Sequence, residues 1–368
     1  MDMNTSSLNP AADIGWRSGH AATEVPNAPR RIAYYLRHCG CLHYFASLRP
    51  YLDHFLGQSA HRNYVVVRDL TPGFETIPEY QGYAHLFTAD CDLDAYHLVL
   101  TPTHLRDHEI ASRARTVQLF HGMSDKPFTY ERDFSDYLLC LCAGQRQVDR
   151  LLSFDPNRHA RLEMIGYPKF DRVANHPVLF DNGKKTVIYA PTWRKGGLSS
   201  IEIFLDNLTA IAAITADYNL IVKPHPNIFD RQRAHYDESV VARLERIPGI
   251  KLVRSGNVMP WFAQADIFVG DISAACYEWL YFARPMVFLN PQPGLLRTSQ
   301  DVEALTYLWQ CGEVCGDARN LKLCIDRSAA DDQYRVARST VLKYSVFEPH
   351  GRGATQRGIE RIEGLLRC

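Results

Sequence analysis

Val117-Gln118-Leu119-Phe120 runs apolar and strand-like, stops at His121-Gly122, and continues as Met123-Ser124-Asp125-Lys126. A strand that ends in histidine and glycine places an imidazole at its terminus, beside backbone that a ligand can approach closely. Three further segments repeat the arrangement with other polar groups. They are Val187-Ile188-Tyr189-Ala190 into Pro191-Thr192-Trp193-Arg194, Leu220-Ile221-Val222 into Lys223-Pro224-His225-Pro226, and Ile267-Phe268-Val269 into Gly270-Asp271-Ile272-Ser273. Ligands of open α/β sheets sit outside the carboxyl ends of the strands, so four polar strand ends point to one site.

On both sides of the His121 junction, strand-like runs alternate with helical ones. Strands are expected at Ile32 to Leu36, Tyr64 to Val67, His97 to Leu100, Thr116 to Phe120, Tyr137 to Cys142 and Leu162 to Ile165, with helices at Leu42 to Leu56 and Gln145 to Leu152. A second series is expected from Thr186 to Ala190 onward, with one helix over Ile201 to Ala216 and later strands at Asn219 to Val222, Lys251 to Val253, Ile267 to Val269 and Met286 to Leu289. Such alternation implies right-handed βαβ units and parallel sheets. Turn chemistry without periodicity at Asp171 to Lys185 marks the junction between the series. The fold expected is α/β, two doubly wound Rossmann-like domains facing across a cleft. Residues 1–29 read as a flexible tail, 30–176 as the first domain, 177–345 as the second, and 346–368 as a helix packing back on the first.

The 368 residues exceed one ordinary core. Apolar content of 46% and charged content of 22% suit a folded soluble chain rather than a disordered one. Basic and acidic side chains balance at 41 each, so no net field favours nucleic acid as a partner. The ten cysteines are scattered, several at strand positions, as buried free thiols would be. Cys39-Gly40-Cys41 and Cys311-Gly312-Glu313-Val314-Cys315 lack the second pair that a zinc site needs, and no metal is expected. Asp90-Cys91-Asp92 is a weak match to a metal-binding acidic pair. No run approaches the roughly 18 to 20 apolar residues of a spanning helix. The N-terminus lacks the charged-then-apolar order of a signal peptide. A cytoplasmic protein able to touch a membrane surface is the expectation.

Together the motifs resemble the CDP-glycerol glycerophosphotransferase family, the teichoic-acid primases and polymerases. The matching elements are Phe120-His121-Gly122 with Lys126, Tyr189 to Arg194, Lys223-Pro224-His225-Pro226, Asp266 to Ser273 followed by Glu278, and Arg284-Pro285-Met286-Val287-Phe288. The resemblance implies a GT-B architecture in which the first domain binds the acceptor and the second the CDP-linked donor. It implies transfer of a polyol phosphate, glycerol phosphate first, to a lipid-linked or polymeric glycan acceptor at the inner face of the membrane. The family tends to show Asp-x-Ser-Ser with an aspartate seven residues after its start. Here Ala274 and Glu278 stand at those positions, which removes one candidate phosphate donor. A nucleotide-sugar glycosyltransferase is the alternative, since the same helix terminus and ribose-binding acid would serve it.

An acceptor hydroxyl that attacks phosphorus must lose a proton, and charge on the phosphate oxygens and on departing CMP must be neutralised. His121 is the expected general base, with Gly122 leaving room for the acceptor alcohol. The resemblance places His225 in the active site, facing the transferring phosphoryl group between two prolines that fix its direction. Arg194 and Lys126 are expected on the diphosphate, with Lys223 beside His225 and Thr192 offering a hydroxyl. Ser273 and Asp271 are good helix N-caps; Ser273 is the expected phosphate donor, whereas Asp271 orients His225 or its loop. Glu278, two turns along the helix, is expected to accept from ribose hydroxyls. The donor is a substrate, and no cofactor is expected.

Overall fold

Each quoted apolar run becomes a strand of one of two wholly parallel sheets. The computed structural model describes residues 29–367 apart from 41, 158–159, 174–177, 194–196, 230–235, 255, 293, 296–300, 302 and 352. The first sheet is built from β1 (Arg30–His38), α1 (Leu42–Phe55), β2 (His61–Asp69), β3 (Phe87–Thr88), β4 (Leu98–Thr101), β5 (Thr116–Gln118), β6 (Leu139–Cys142), α2 (Gln145–Phe154) and β7 (Arg161–Met164). Its strand order is β3-β2-β1-β4-β5-β6-β7. The second comprises β8 (Thr186–Tyr189), α3 (Ile201–Leu205), α4 (Leu208–Asp217), β9 (Asn219–Val222), α5 (Glu238–Glu245), β10 (Ile250–Leu252), α6 (Met259–Gln264), β11 (Ile267–Gly270), α7 (Ala274–Trp279), β12 (Met286–Leu289) and β13 (Glu313–Cys315). Its order is β10-β9-β8-β11-β12-β13, followed in the chain by α8 (Leu321–Ala330), α9 (Arg335–Ser345) and α10 (Ala354–Arg367).

Parallel strands covered on both faces read as continuous apolar runs rather than as alternation. β4, β6, β8, β9, β11 and β12 are buried at every position, which is why they are plain in the sequence. β3 and β13, of two and three residues, are too short to leave such a run. β5 ends before Phe120, whose φ of 55° turns the chain out of the ladder. The single helix expected over Ile201 to Ala216 is two, because Asn207 donates its side-chain amide to the Ile203 carbonyl at 2.7 Å and leaves helical geometry.

The chain passes between the sheets across the segment from Met164 to Thr186, of which residues 174–177 lie outside the described set, as does the expected tail up to residue 28. α10 then returns to the first sheet. Its Ile359, Ile362 and Leu366 share a core with Phe45, Tyr51 and Leu52 of α1. Asp171 caps its start, accepting from the amides of Gly353, Ala354 and Thr355 at 3.1, 3.2 and 2.7 Å. A second core joins the two units: Met123, Tyr167 and Phe170 from the first pack with Cys276, Tyr277, Trp279 and Val341 from the second. Among the described residues no helix is long and apolar enough to cross a membrane.

Candidate active site

In each sheet the strand order reverses beside its first strand, between β1 and β4 and between β8 and β11. The crevice at such a point is where doubly wound sheets bind ligands. The two crevices face one another, and the predicted polar groups stand on the loops that leave β5, β8, β9 and β11.

His121 and His225 come together here, each fixed through Nδ1. His121 Nδ1 lies 2.9 Å from the Pro102 carbonyl, the loop leaving β4. A carbonyl only accepts, so Nδ1 carries the proton and Nε2 presents a lone pair. At His225 the backbone amide of Asn227 points at Nδ1 from 3.2 Å. An amide only donates, so here Nδ1 is the acceptor and Nε2 carries the proton. Burial pushes His121 down to about 4, slightly opposed by the Pro102 bond. Burial, reinforced by Lys126 and Lys223, pushes His225 down to about 3. Both rings are therefore neutral at physiological pH, one a proton acceptor and the other a donor.

Lys126 reaches across the domain boundary and donates to Thr192 Oγ1 at 2.6 Å. That leaves the Thr192 hydroxyl hydrogen for another acceptor. The Thr192 amide is held by the Asp271 carboxylate at 2.9 and 3.1 Å, as are the Ser200 amide at 2.9 Å and hydroxyl at 3.1 Å. Asp271 thus ties the loop after β8 to the end of β11, and burial raises its carboxyl to about 6. Lys223 is 4% exposed, and its ammonium has no hydrogen bond or ion pair among the described residues. Desolvation lowers it to about 8, partly offset by Glu278. A buried cation with no partner is costly, and an anion is what would balance it.

The remaining residues of the site are held as follows. A Cβ at Gly122 would meet the Tyr167 hydroxyl at 3.2 Å and Ala274 Cβ at 3.3 Å, so the glycine also admits the close approach of the other domain. The same contact explains Ala274, where a bulkier side chain would press on the loop after His121. Glu278 Oε1 is already engaged, accepting from Tyr167 OH at 2.9 Å and Lys169 Nζ at 2.5 Å. Its Oε2 alone has no hydrogen bond among the described residues, which limits any ribose contact to that oxygen. Asp271 does not cap α7, because its carboxylate is turned to Thr192 and Ser200. Ser273 stands at the N-cap position with no capping bond from its side chain, and its hydroxyl lies 3.5 Å from Cys276 Sγ. Arg194 lies outside the described residues. Asp90 and Asp92 form an exposed local turn in which the Asp92 amide bonds Asp90.

Two features were not read from the sequence. Asp125, beside Lys126, accepts from Arg146 at 2.6 Å and from Tyr277 OH of α7 at 2.5 Å, all three buried. Arg146 also stacks over the Tyr307 ring at 4.4 Å, so the loop after β5 is locked between domains. His43, in the first turn of α1, lies against both site histidines, with ring centroids 6.0 Å from His121 and 5.9 Å from His225. The available signal was the glycine turn at Cys39-Gly40, which ends the first strand as the other four segments end theirs. Among the described residues no group of three or more His, Cys, Asp or Glu is arranged to hold a metal ion.

The sequence pattern of the family described as CDP-glycerol:poly(glycerophosphate) glycerophosphotransferase matches residues 93–364. No curated protein matches the sequence significantly. Among solved structures, the wall teichoic acid polymerase TagF is similar with a TM-score of 0.59 and 14% identity, over 92% of this chain and 89% of that one. A UDP-GlcNAc 2-epimerase from Neisseria meningitidis bound to UDP-GlcNAc is similar with a TM-score of 0.59 and 11% identity, over 92% of this chain and all of that one. At those identities the likeness speaks for the fold, which is α/β and GT-B-like.

Proposed function

The chain belongs to the CDP-glycerol:poly(glycerophosphate) glycerophosphotransferase family, and we propose that it moves glycerol phosphate, or a related polyol phosphate, from a CDP-linked donor to a hydroxyl of a cell-envelope glycan or polyol-phosphate acceptor. His121 Nε2 takes the acceptor proton as the hydroxyl oxygen attacks the distal phosphorus. A new P–O bond forms, the bridging P–O bond breaks, and CMP leaves with the bridging oxygen. His225 Nε2–H donates to a non-bridging oxygen of the transferring group, where a donor aimed at developing charge acts most strongly. Lys223 and Lys126 neutralise the diphosphate, Thr192 and Ser273 add hydroxyl donors, and Arg194 adds a guanidinium. Asp271 holds the Thr192 loop. Charge neutralisation by these cations requires no metal in this reading.

The observation that carries the reading is the pair of neutral histidines held in opposite tautomers at one crevice, beside a buried lysine whose ammonium has no partner among the described residues. The acceptor we infer is lipid-linked or polymeric, met at the cytoplasmic face of the membrane. Arg49, Arg62 and Arg68 on the first domain are exposed and offer cations to anionic lipid or polymer. The test is incubation with CDP-glycerol, CDP-ribitol and a panel of nucleotide sugars in the presence of acceptor, with mass analysis of products. CMP release with a gain of polyol phosphate supports the reading. Sugar transfer with release of another nucleotide would replace it by glycosyl transfer.

A further inference from the structure

Lys169, which no polar strand end announces, reaches the crevice from the segment that joins the two sheets. Its ammonium donates to Glu278 Oε1 at 2.5 Å, and the Tyr167 hydroxyl donates to the same oxygen at 2.9 Å. The backbone that carries both donors is tied to α10 at each end. Arg357 Nε holds the Ile165 carbonyl at 2.8 Å, and Asp171 takes the amides at the start of the helix. Between them Pro168 restricts the backbone, and Phe170 packs on Tyr281, just beyond α7, with ring centroids 4.7 Å apart. Both donors thus stand on a fixed segment. Glu278 is 3% exposed, and its Oε2 has no hydrogen bond among the described residues.

A buried carboxylate oxygen without a donor is costly, so Oε2 calls for an O–H or N–H from a ligand. Lys223, at the end of β9, sets the other end of that ligand. Burial lowers Lys223, and Glu278 lies near enough to oppose that, yet the two form no ion pair among the described residues. A molecule that spans them carries an anion for the lysine and a hydroxyl for the carboxylate, as the diphosphate and ribose of a CDP donor do. Without Lys169 the carboxylate would be drawn to Lys223, and both groups would be spent on each other. Resting on the CDP-donor reading above, we propose that Lys169 is a positioning residue for donor recognition: with Tyr167 it holds Glu278 Oε1, so that Oε2 accepts a hydrogen bond from a ribose hydroxyl. Lys169 acts through Glu278 and takes no part in proton transfer.

The experiment measures binding of CDP, 2′-deoxy-CDP and 3′-deoxy-CDP to the full chain by titration calorimetry, which requires no transfer. Wild type should prefer CDP over at least one deoxy form by about 10- to 100-fold, the worth of a hydrogen bond to a charged group. Lys169→Met should lose most of that preference, whereas Lys169→Arg, which keeps a charged donor, should retain it. In a Glu278→Ala background Lys169→Met should change the preference no further. In turnover of CDP-glycerol, Lys169→Met should raise donor KM and leave kcat nearly unchanged. An undiminished preference in Lys169→Met assigns the pair to domain packing and overturns the proposal alone, as does a wild type that binds CDP and both deoxy forms equally. A wild type that binds no CDP overturns the CDP-donor reading and this inference with it.

Discussion

His121 and His225 are neutral imidazoles locked in opposite protonation patterns, the first by a carbonyl at Nδ1 and the second by an amide at Nδ1. The protein thus fixes which ring takes a proton and which gives a hydrogen bond before any substrate arrives. Such preorganisation is how an enzyme avoids reorganising its dipoles during the reaction.

The first prediction concerns pH. Because burial holds His121 near 4, it stays unprotonated as pH falls through the usual histidine value of 6.5. The acid limb of kcat/KM, which reports the free enzyme, should therefore be centred well below 6.5. His121→Gln should lower kcat by about 100- to 10,000-fold. A limb centred at 6.5 or above in the wild type would show that the base is not held in this environment.

Lys223 predicts the opposite limb. It is charged below about 8 and loses its proton above that, so attraction for the donor diphosphate declines as pH rises through 8. Bound diphosphate favours the ammonium, so the effect belongs to KM for the CDP donor rather than to kcat. Lys223→Arg, always protonated, should remove this basic limb; Lys223→Gln should raise KM at all pH values. Initial rates from pH 6 to 9.5 read both.

The contact of Gly122 with Ala274 predicts coupling between domains. Gly122→Ala should be destabilising by about 1–3 kcal/mol through overpacking, and Ala274→Gly in the same chain should recover part of it. A double-mutant cycle on denaturation midpoints measures the interaction. Simple additivity would mean that the two loops do not press on each other.

Asp271 receives two amides and a hydroxyl, and Asn in its place keeps the shape but sets an NH2 group against N–H donors. The expected cost of Asp271→Asn is about 1–3 kcal/mol per donor left unpaired, together with a rise in donor KM as the Thr192 loop loosens. Retained stability with lost activity would instead place the carboxylate in the chemistry.

Legibility in the sequence followed burial. Strands covered on both faces left uninterrupted apolar runs, and the polar residues ending them, His121, Thr192, Lys223, His225 and Asp271, were visible for that reason. What stayed hidden depends on contacts distant in sequence. Tyr167 meets Glu278 111 positions away, and Tyr277 meets Asp125 152 positions away. The contact of Gly122 with Ala274 was not foreseen either, since nothing local in the sequence announces a facing helix 152 positions on. His43 was missed because the turn before it resembles a metal spacing more than a ligand loop.

The return of α10 sets the order in which this protein can finish folding as it is synthesised. Domains commonly mature one after another behind the ribosome. Here the first sheet emerges early, but its α1 face stays uncovered until Ile359, Ile362 and Leu366 arrive, and the Ile165 carbonyl waits 192 positions for Arg357. The second domain is therefore complete before the first. During that interval the half-built first domain exposes the apolar side of α1, and the newly made chain then depends most on slow aggregation or on chaperone protection.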